Sequence, residues 1–105
     1  MRNYVTPLGK VPFLEWLNGL KDSLTRLRIR RRLDRLELGN LGDCKSVGKG
    51  VLELRLTFGS GYRIYFAEYD EEIIILLCAG DKGSQTKDIK KAQEYWDELK
   101  ERSDE

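Results

Sequence analysis

Histidine is absent from this 105-residue chain. That removes the side chain that titrates nearest neutrality and the commonest ligand for zinc and other transition metals. A Ser–His or Cys–His nucleophile is excluded, and no metal or other cofactor is expected. Cysteine is scarce. Cys44 and Cys78 are not spaced as Cys-x-x-Cys, and Cys78 sits in an apolar run, so both are expected to be reduced thiols. The two prolines, Pro7 and Pro12, lie near the start, and no internal repeat or Pro-rich linker follows. The longest apolar run, residues 73–79, spans seven residues, against the roughly 20 needed to cross a bilayer. The opening Met1-Arg2-Asn3-Tyr4 has neither the apolar stretch nor the small-residue cleavage site of a secretory signal. These gaps together predict a cytoplasmic protein with no membrane partner.

What is present is charge, unevenly placed. Lys and Arg total 19 and Asp and Glu 18, a net charge of +1. Residues 1–66 carry 13 basic and 6 acidic side chains, or +7, and residues 67–105 carry 6 and 12, or −6. A basic surface for a polyanion or an acidic partner follows from this asymmetry. The length predicts a single domain over 1–105.

Periodicity divides the chain into elements. Asn3 to Thr6 reads as an edge strand ended by Pro7. Pro12 suits the first turn of a helix whose apolar stripe is Phe13, Trp16, Leu17 and Leu20. A second helix, capped by Asp22 or Ser23, runs to about Leu38 and stops at Gly39-Asn40. Ile29, Leu33 and Leu36 form its apolar face, and six arginines (26, 28, 30, 31, 32 and 35) fill most of the rest. From Val51 the period becomes two: Leu52, Leu54, Leu56 and Phe58 alternate with Glu53, Arg55 and Thr57. Gly59-Ser60-Gly61 signals a hairpin turn. The next strand, from Tyr62 to about Tyr69, puts Ile64 and Phe66 on one face and Arg63, Tyr65 and Ala67 on the other. After a tight turn at Asp70-Glu71, residues 73–79 are apolar on both faces, as an interior strand would be. A polar loop over 80–86 precedes a last helix from about Lys87, with the stripe Ile89, Ala92, Trp96 and Leu99. The order β-α-α-β-β-β-α predicts an α+β fold, a small mainly antiparallel sheet with helices packed on one face.

If Leu54 and Ile64 face the helices, Glu53, Arg55, Arg63 and Tyr65 face away, and the two arginines are cross-strand neighbours. Like charges repel, so bare stability does not favour the pair. A phosphate between them reverses the sign, and arginine offers it a bidentate fork. Lys82 approaches that face from the loop after the central strand, and Lys45 and Lys49 from the segment before the second. The alternative is that Arg55 merely pairs with Glu53 or Glu68. Helix 2 presents a rival basic surface, since Arg28, Arg31 and Arg35 share one face that would track a nucleic-acid backbone or dock an acidic partner. The block Asp70-Glu71-Glu72 is read as solvated charge rather than a metal site. Lys49-Gly50 lacks the spaced glycines and following Ser/Thr of a phosphate loop.

Several stretches resemble a known family. The run from Lys45 through Gly48-Lys49-Gly50 to Glu53-Leu54-Arg55 resembles the second strand of the RelE/HigB toxin superfamily. Gly61-Tyr62-Arg63-Ile64-Tyr65-Phe66 and Gly80-Asp81-Lys82-Gly83-Ser84-Gln85, followed by Asp88-Ile89, resemble its next two landmarks. Thr6-Pro7-Leu8-Gly9-Lys10 through Phe13-Leu14-Glu15-Trp16-Leu17 is similar to the phage-derived addiction module killer branch. The resemblance implies the toxin of a type II toxin–antitoxin module, an endoribonuclease that cleaves mRNA on the ribosome without a metal. It also implies an antitoxin partner, with operator DNA bound only through the toxin–antitoxin complex. The implied catalytic residues are Arg55, Arg63 and Lys82, and the implied RNA-binding residues Lys45, Lys49, Glu53 and Gln85. The family's C-terminal catalytic His or Tyr has no counterpart here, so a lysine or Glu53 is the expected base. The ParE branch, which shares the fold but inhibits DNA gyrase, and a non-enzymatic nucleic-acid- or antitoxin-binding module are the alternatives.

Overall fold

The computed structural model describes residues 1–71 and 73–103. Its strands are β1 (Arg2–Asn3), β2 (Cys44–Ser46), β3 (Leu52–Arg55), β4 (Arg63–Tyr69) and β5 (Ile73–Gly80). They form one open sheet in the order β1-β5-β4-β3-β2. The β2–β3, β3–β4 and β4–β5 pairs are antiparallel and β1–β5 is parallel. Three helices, α1 (Pro12–Gly19), α2 (Ser23–Glu37) and α3 (Gln85–Ser103), complete an α+β fold of the expected class. None of the described helices is long and apolar enough to cross a membrane.

The helices do not all share one face. Phe13 and Leu17 of α1 and Ile29, Leu33 and Leu36 of α2 pack on Leu54, Ile64, Phe66 and Leu76. Ala92 and Trp96 of α3 pack instead with Tyr65, Ala67, Ile75 and Leu77, which point the other way. The expectation of one covered face is corrected by the chain's own pattern: an interior strand that is apolar on both sides needs cover on both. Because α3 packs on β4 and β5, the β3 margin of its face stays open, and 37% of the Arg55 side chain reaches solvent there.

Element boundaries also differ, and the expected order β-α-α-β-β-β-α lacks one strand, β2. The edge strand is shorter and earlier than expected, because Thr6 leaves the sheet to bond Lys10 and Gly9 in a turn around Pro7. Strand β2 has no period-two signal, being only three residues long with one partly buried side chain, Cys44. Helix α3 begins at Gln85 after a 3-10 turn, Lys82–Ser84, capped reciprocally by Asp81 and Ser84. Asp70 and Glu71 make the β4–β5 turn with positive φ, and Glu72 of that acidic block lies outside the described residues. Both cysteines are free thiols, and burial pushes the pKa of Cys78 up to about 12.

Helix α2 carries the densest run of arginines in the chain. Asp22 caps it by accepting from the Leu24 amide at 3.1 Å and the Thr25 hydroxyl at 2.8 Å. Its end is set by Gly39, whose φ of 97° stops the helix at little cost. Ile29 is fully buried, so α2 is held by its apolar stripe while most of its arginines face out. Ile29→Val is expected to cost about 1 kcal/mol in urea unfolding. The exposed Arg30→Ala should change stability by less than about 0.5 kcal/mol.

Candidate active site

Strand register builds the site. Leu54 faces Ile64 across β3–β4 and turns into the α1/α2 core, so the residues on either side point to the opposite face. One cross-strand row reads Lys45–Glu53–Tyr65 and the next same-face row Arg55–Arg63–Gly80. Two arginines thus stand directly opposite one another in neighbouring strands. Glycine at position 80 also lets α3 come close, since a Cβ there would lie 1.9 Å from an Asp88 carboxylate oxygen.

Glu53 is the hub. Its side chain is wholly buried, a state a carboxylate tolerates only with donors around it. Gln85 Nε2 donates to it at 2.9 Å, the Tyr65 hydroxyl at 3.0 Å and Arg55 Nε at 3.1 Å. Lys45 Nζ and Arg63 Nε each lie 3.9 Å from one oxygen. Burial pushes the Glu53 pKa up, but the bonds from Gln85, Arg55 and Tyr65 and the charge of Lys45 outweigh it, leaving the carboxyl below its ordinary value. Tyr65 is shifted the other way, by burial first and then by the Glu53 charge, so its hydroxyl keeps its proton. Glu53 therefore holds a fixed negative charge and has little affinity for a proton.

The pairing of Arg55 with Glu53, open as an alternative from the pattern, is made. It does not neutralise the site. Lys45, Arg55 and Arg63 surround one carboxylate, leaving two positive charges in excess. Arg63 is itself nearly buried, with 11% of its side chain exposed. Its Nη1 donates to the Gly61 carbonyl at 2.7 Å, while its buried Nε has no hydrogen-bond partner among the described residues. Gly61 has φ of +77°, and a Cβ there would lie 3.3 Å from both Arg63 Nη1 and Lys82 Cβ. Lys82, exposed in the 3-10 turn, thus adjoins the Arg63 end of the row.

Of the seven residues expected at a site, six come together: Lys45, Glu53, Arg55, Arg63, Lys82 and Gln85. Lys49 does not. It occupies the β2–β3 turn with φ of 55°, between Gly48 and Gly50, which abut Gln93 and Trp96 of α3. Glu53 and Gln85 are brought in as an inward-facing pair, not as surface groups. Tyr65 was not among the expected site residues, although the alternation that places Glu53 on this face places Tyr65 beside it. Tyr95 stacks on Tyr4 with ring centroids 4.9 Å apart, apart from the cluster.

The model of a protein family described as phage derived protein Gp49-like (DUF891) matches residues 15–97. An uncharacterized protein of Haemophilus influenzae is 46% identical over 87 residues, covering 83% of this chain and 88% of its own length. No solved structure matches.

Proposed function

This chain belongs to the phage-derived Gp49-like family, and from that premise we propose that it is the toxin of a toxin–antitoxin pair, a metal-independent, RelE/HigB-type endoribonuclease acting on mRNA at the ribosome. A cognate antitoxin is its partner, and operator DNA is bound only through the complex of the two. The observation that carries the reading is the Arg55–Arg63 pair, set directly opposite in adjacent strands around a single buried carboxylate. Glu53 offsets only part of this positive charge, and the excess left around it is matched by a phosphate that completes the arrangement.

In this reading the ribose 2′-oxygen attacks the adjacent phosphorus. The O2′–P bond forms as the P–O5′ bond breaks, giving a 2′,3′-cyclic phosphate and a 5′-hydroxyl. Arg63 and Arg55 meet the charge that builds on the phosphoryl oxygens, and the Lys82 ammonium gives the leaving 5′-oxygen the proton that makes it a hydroxyl. Glu53 orients the arginines, and Tyr65 and Gln85 hold Glu53. Glu53, held below its ordinary value by its donors, is a weak base for the 2′-proton, and Tyr65 keeps its own proton. In this reading a lysine of the cluster or the ribosome takes that proton, and the ribosome-dependent activity follows from the second route.

The test is induced expression with RNA ends mapped by their chemistry. New 5′-hydroxyl ends within translated mRNA, matched by cyclic phosphates upstream, are expected. Growth arrest without such ends, accompanied by DNA breaks, would replace this reading with gyrase inhibition.

A further inference from the structure

A second basic surface lies beside the cluster. A groove of about 410 Å³ runs between α2 and the end of β3, and Arg28, Arg31, Arg32, Arg35, Arg55 and Phe58 line it. Five arginines face a single acidic residue, Asp43. The four from α2 recur at i, i+3, i+4 and i+7, the spacing at which like charges on a helix repel. Arg32 has a structural use, donating to the Asn40 and Leu41 carbonyls at 3.0 and 2.7 Å. Arg28 is held over the Phe58 ring, 4.1 Å from its centroid. Arg28, Arg31 and Arg35 form no ion pair with a carboxylate among the described residues.

We infer that this groove is a phosphate track for the single-stranded RNA that flanks the cleaved bond. The inference rests on the nuclease reading for its anchor point, Arg63, and adds where the rest of the chain runs. Arg55 belongs to both surfaces. It bonds Glu53 in the cluster and lines the groove, so an RNA backbone lying across the Arg55–Arg63 pair continues into the groove without leaving positive charge. Stacking of Arg28 on Phe58 holds one cation in place before RNA arrives, which lessens the ordering cost of binding. An acidic amphipathic peptide fits less well. It needs an apolar floor, and here that floor is little more than the buried Leu56 and Phe58, whose ring Arg28 covers.

The test uses the full chain and a 12-nucleotide 2′-O-methyl RNA, which binds but cannot be cleaved, followed by fluorescence polarisation across a salt series. In the Arg28→Ala/Arg31→Ala/Arg35→Ala triple variant the slope of log affinity against log salt should fall by about 2, and affinity at about 0.15 M salt by roughly 50-fold. Its thermal midpoint should hold or rise, since repulsion is relieved. Arg30→Ala, exposed on α2 but outside the groove, should retain most of the binding. Wild-type-like RNA affinity in the triple variant overturns the track. So does a wild-type protein that binds a 12-residue polyglutamate through these arginines more tightly than the RNA. If the RNA binds as expected and no mRNA is cut in cells, the nuclease reading fails and the groove stands.

Discussion

Arg63→Ala is expected to slow RNA cleavage by 10²–10³-fold, the effect of removing one donor that meets transition-state charge, about 2.7–4 kcal/mol of barrier. The size follows from where the guanidinium sits. It is nearly buried beside Glu53, with Nη1 fixed by Gly61 and Nε without a hydrogen-bond partner among the described residues. Its orientation is therefore set before any phosphate arrives, and a preorganised donor in a partly dry site is worth more than a mobile surface one. Arg63→Lys keeps the charge and loses the planar fork, so it should recover only part of the rate. Single-turnover cleavage on programmed ribosomes checks both, with circular dichroism confirming the fold. Alanine cleaving at the wild-type rate would take Arg63 out of the chemistry.

Glu53→Ala has the largest expected effect on stability. The substitution leaves Arg63 buried without its counter-charge and strips the Tyr65 hydroxyl and Gln85 amide of their shared acceptor. Loss of one partner from a buried charged cluster costs about 3 kcal/mol or more, and for a chain of this size that lowers the thermal midpoint by at least about 12 °C. Glu53→Gln should lose less, because an amide oxygen still accepts from Tyr65. The pH dependence has a definite sign. The folded carboxyl titrates below its ordinary value of 4.5, so its contribution is complete above that value and disappears as pH falls through the lower, folded one. Urea unfolding between pH 7 and pH 3 should show the wild type losing its advantage over Glu53→Gln below about pH 4.5. Parallel acid slopes in the two proteins would assign the acid sensitivity to other carboxyls.

Much of this geometry is legible in the chain because strand alternation is rigid. Once Leu54 and Ile64 are assigned to the core, Glu53, Arg55, Arg63 and Tyr65 have no choice of face, and the structure keeps all four together. The stripe Ile29, Leu33 and Leu36 likewise dictates which side of α2 is buried. Strand β2 is not legible, since three residues with one half-buried side chain carry no period. Lys49 falls outside the cluster that its position in the chain suggests, because proximity in sequence says nothing about which end of a strand a turn occupies.

Local pattern thus determined every element but β2, the buried stripes of those elements and the meeting of Arg55 with Arg63, all of which depend on neighbours within a few residues or one hairpin. Tertiary structure alone decided that α3 covers the second face, that Gln85 reaches Glu53 from 32 positions away, and that the arginine stripe of α2 lies against Arg55 in one groove. Those outcomes turn on how separate elements dock, and docking is set by packing complementarity between surfaces distant in sequence, for which periodicity carries no information.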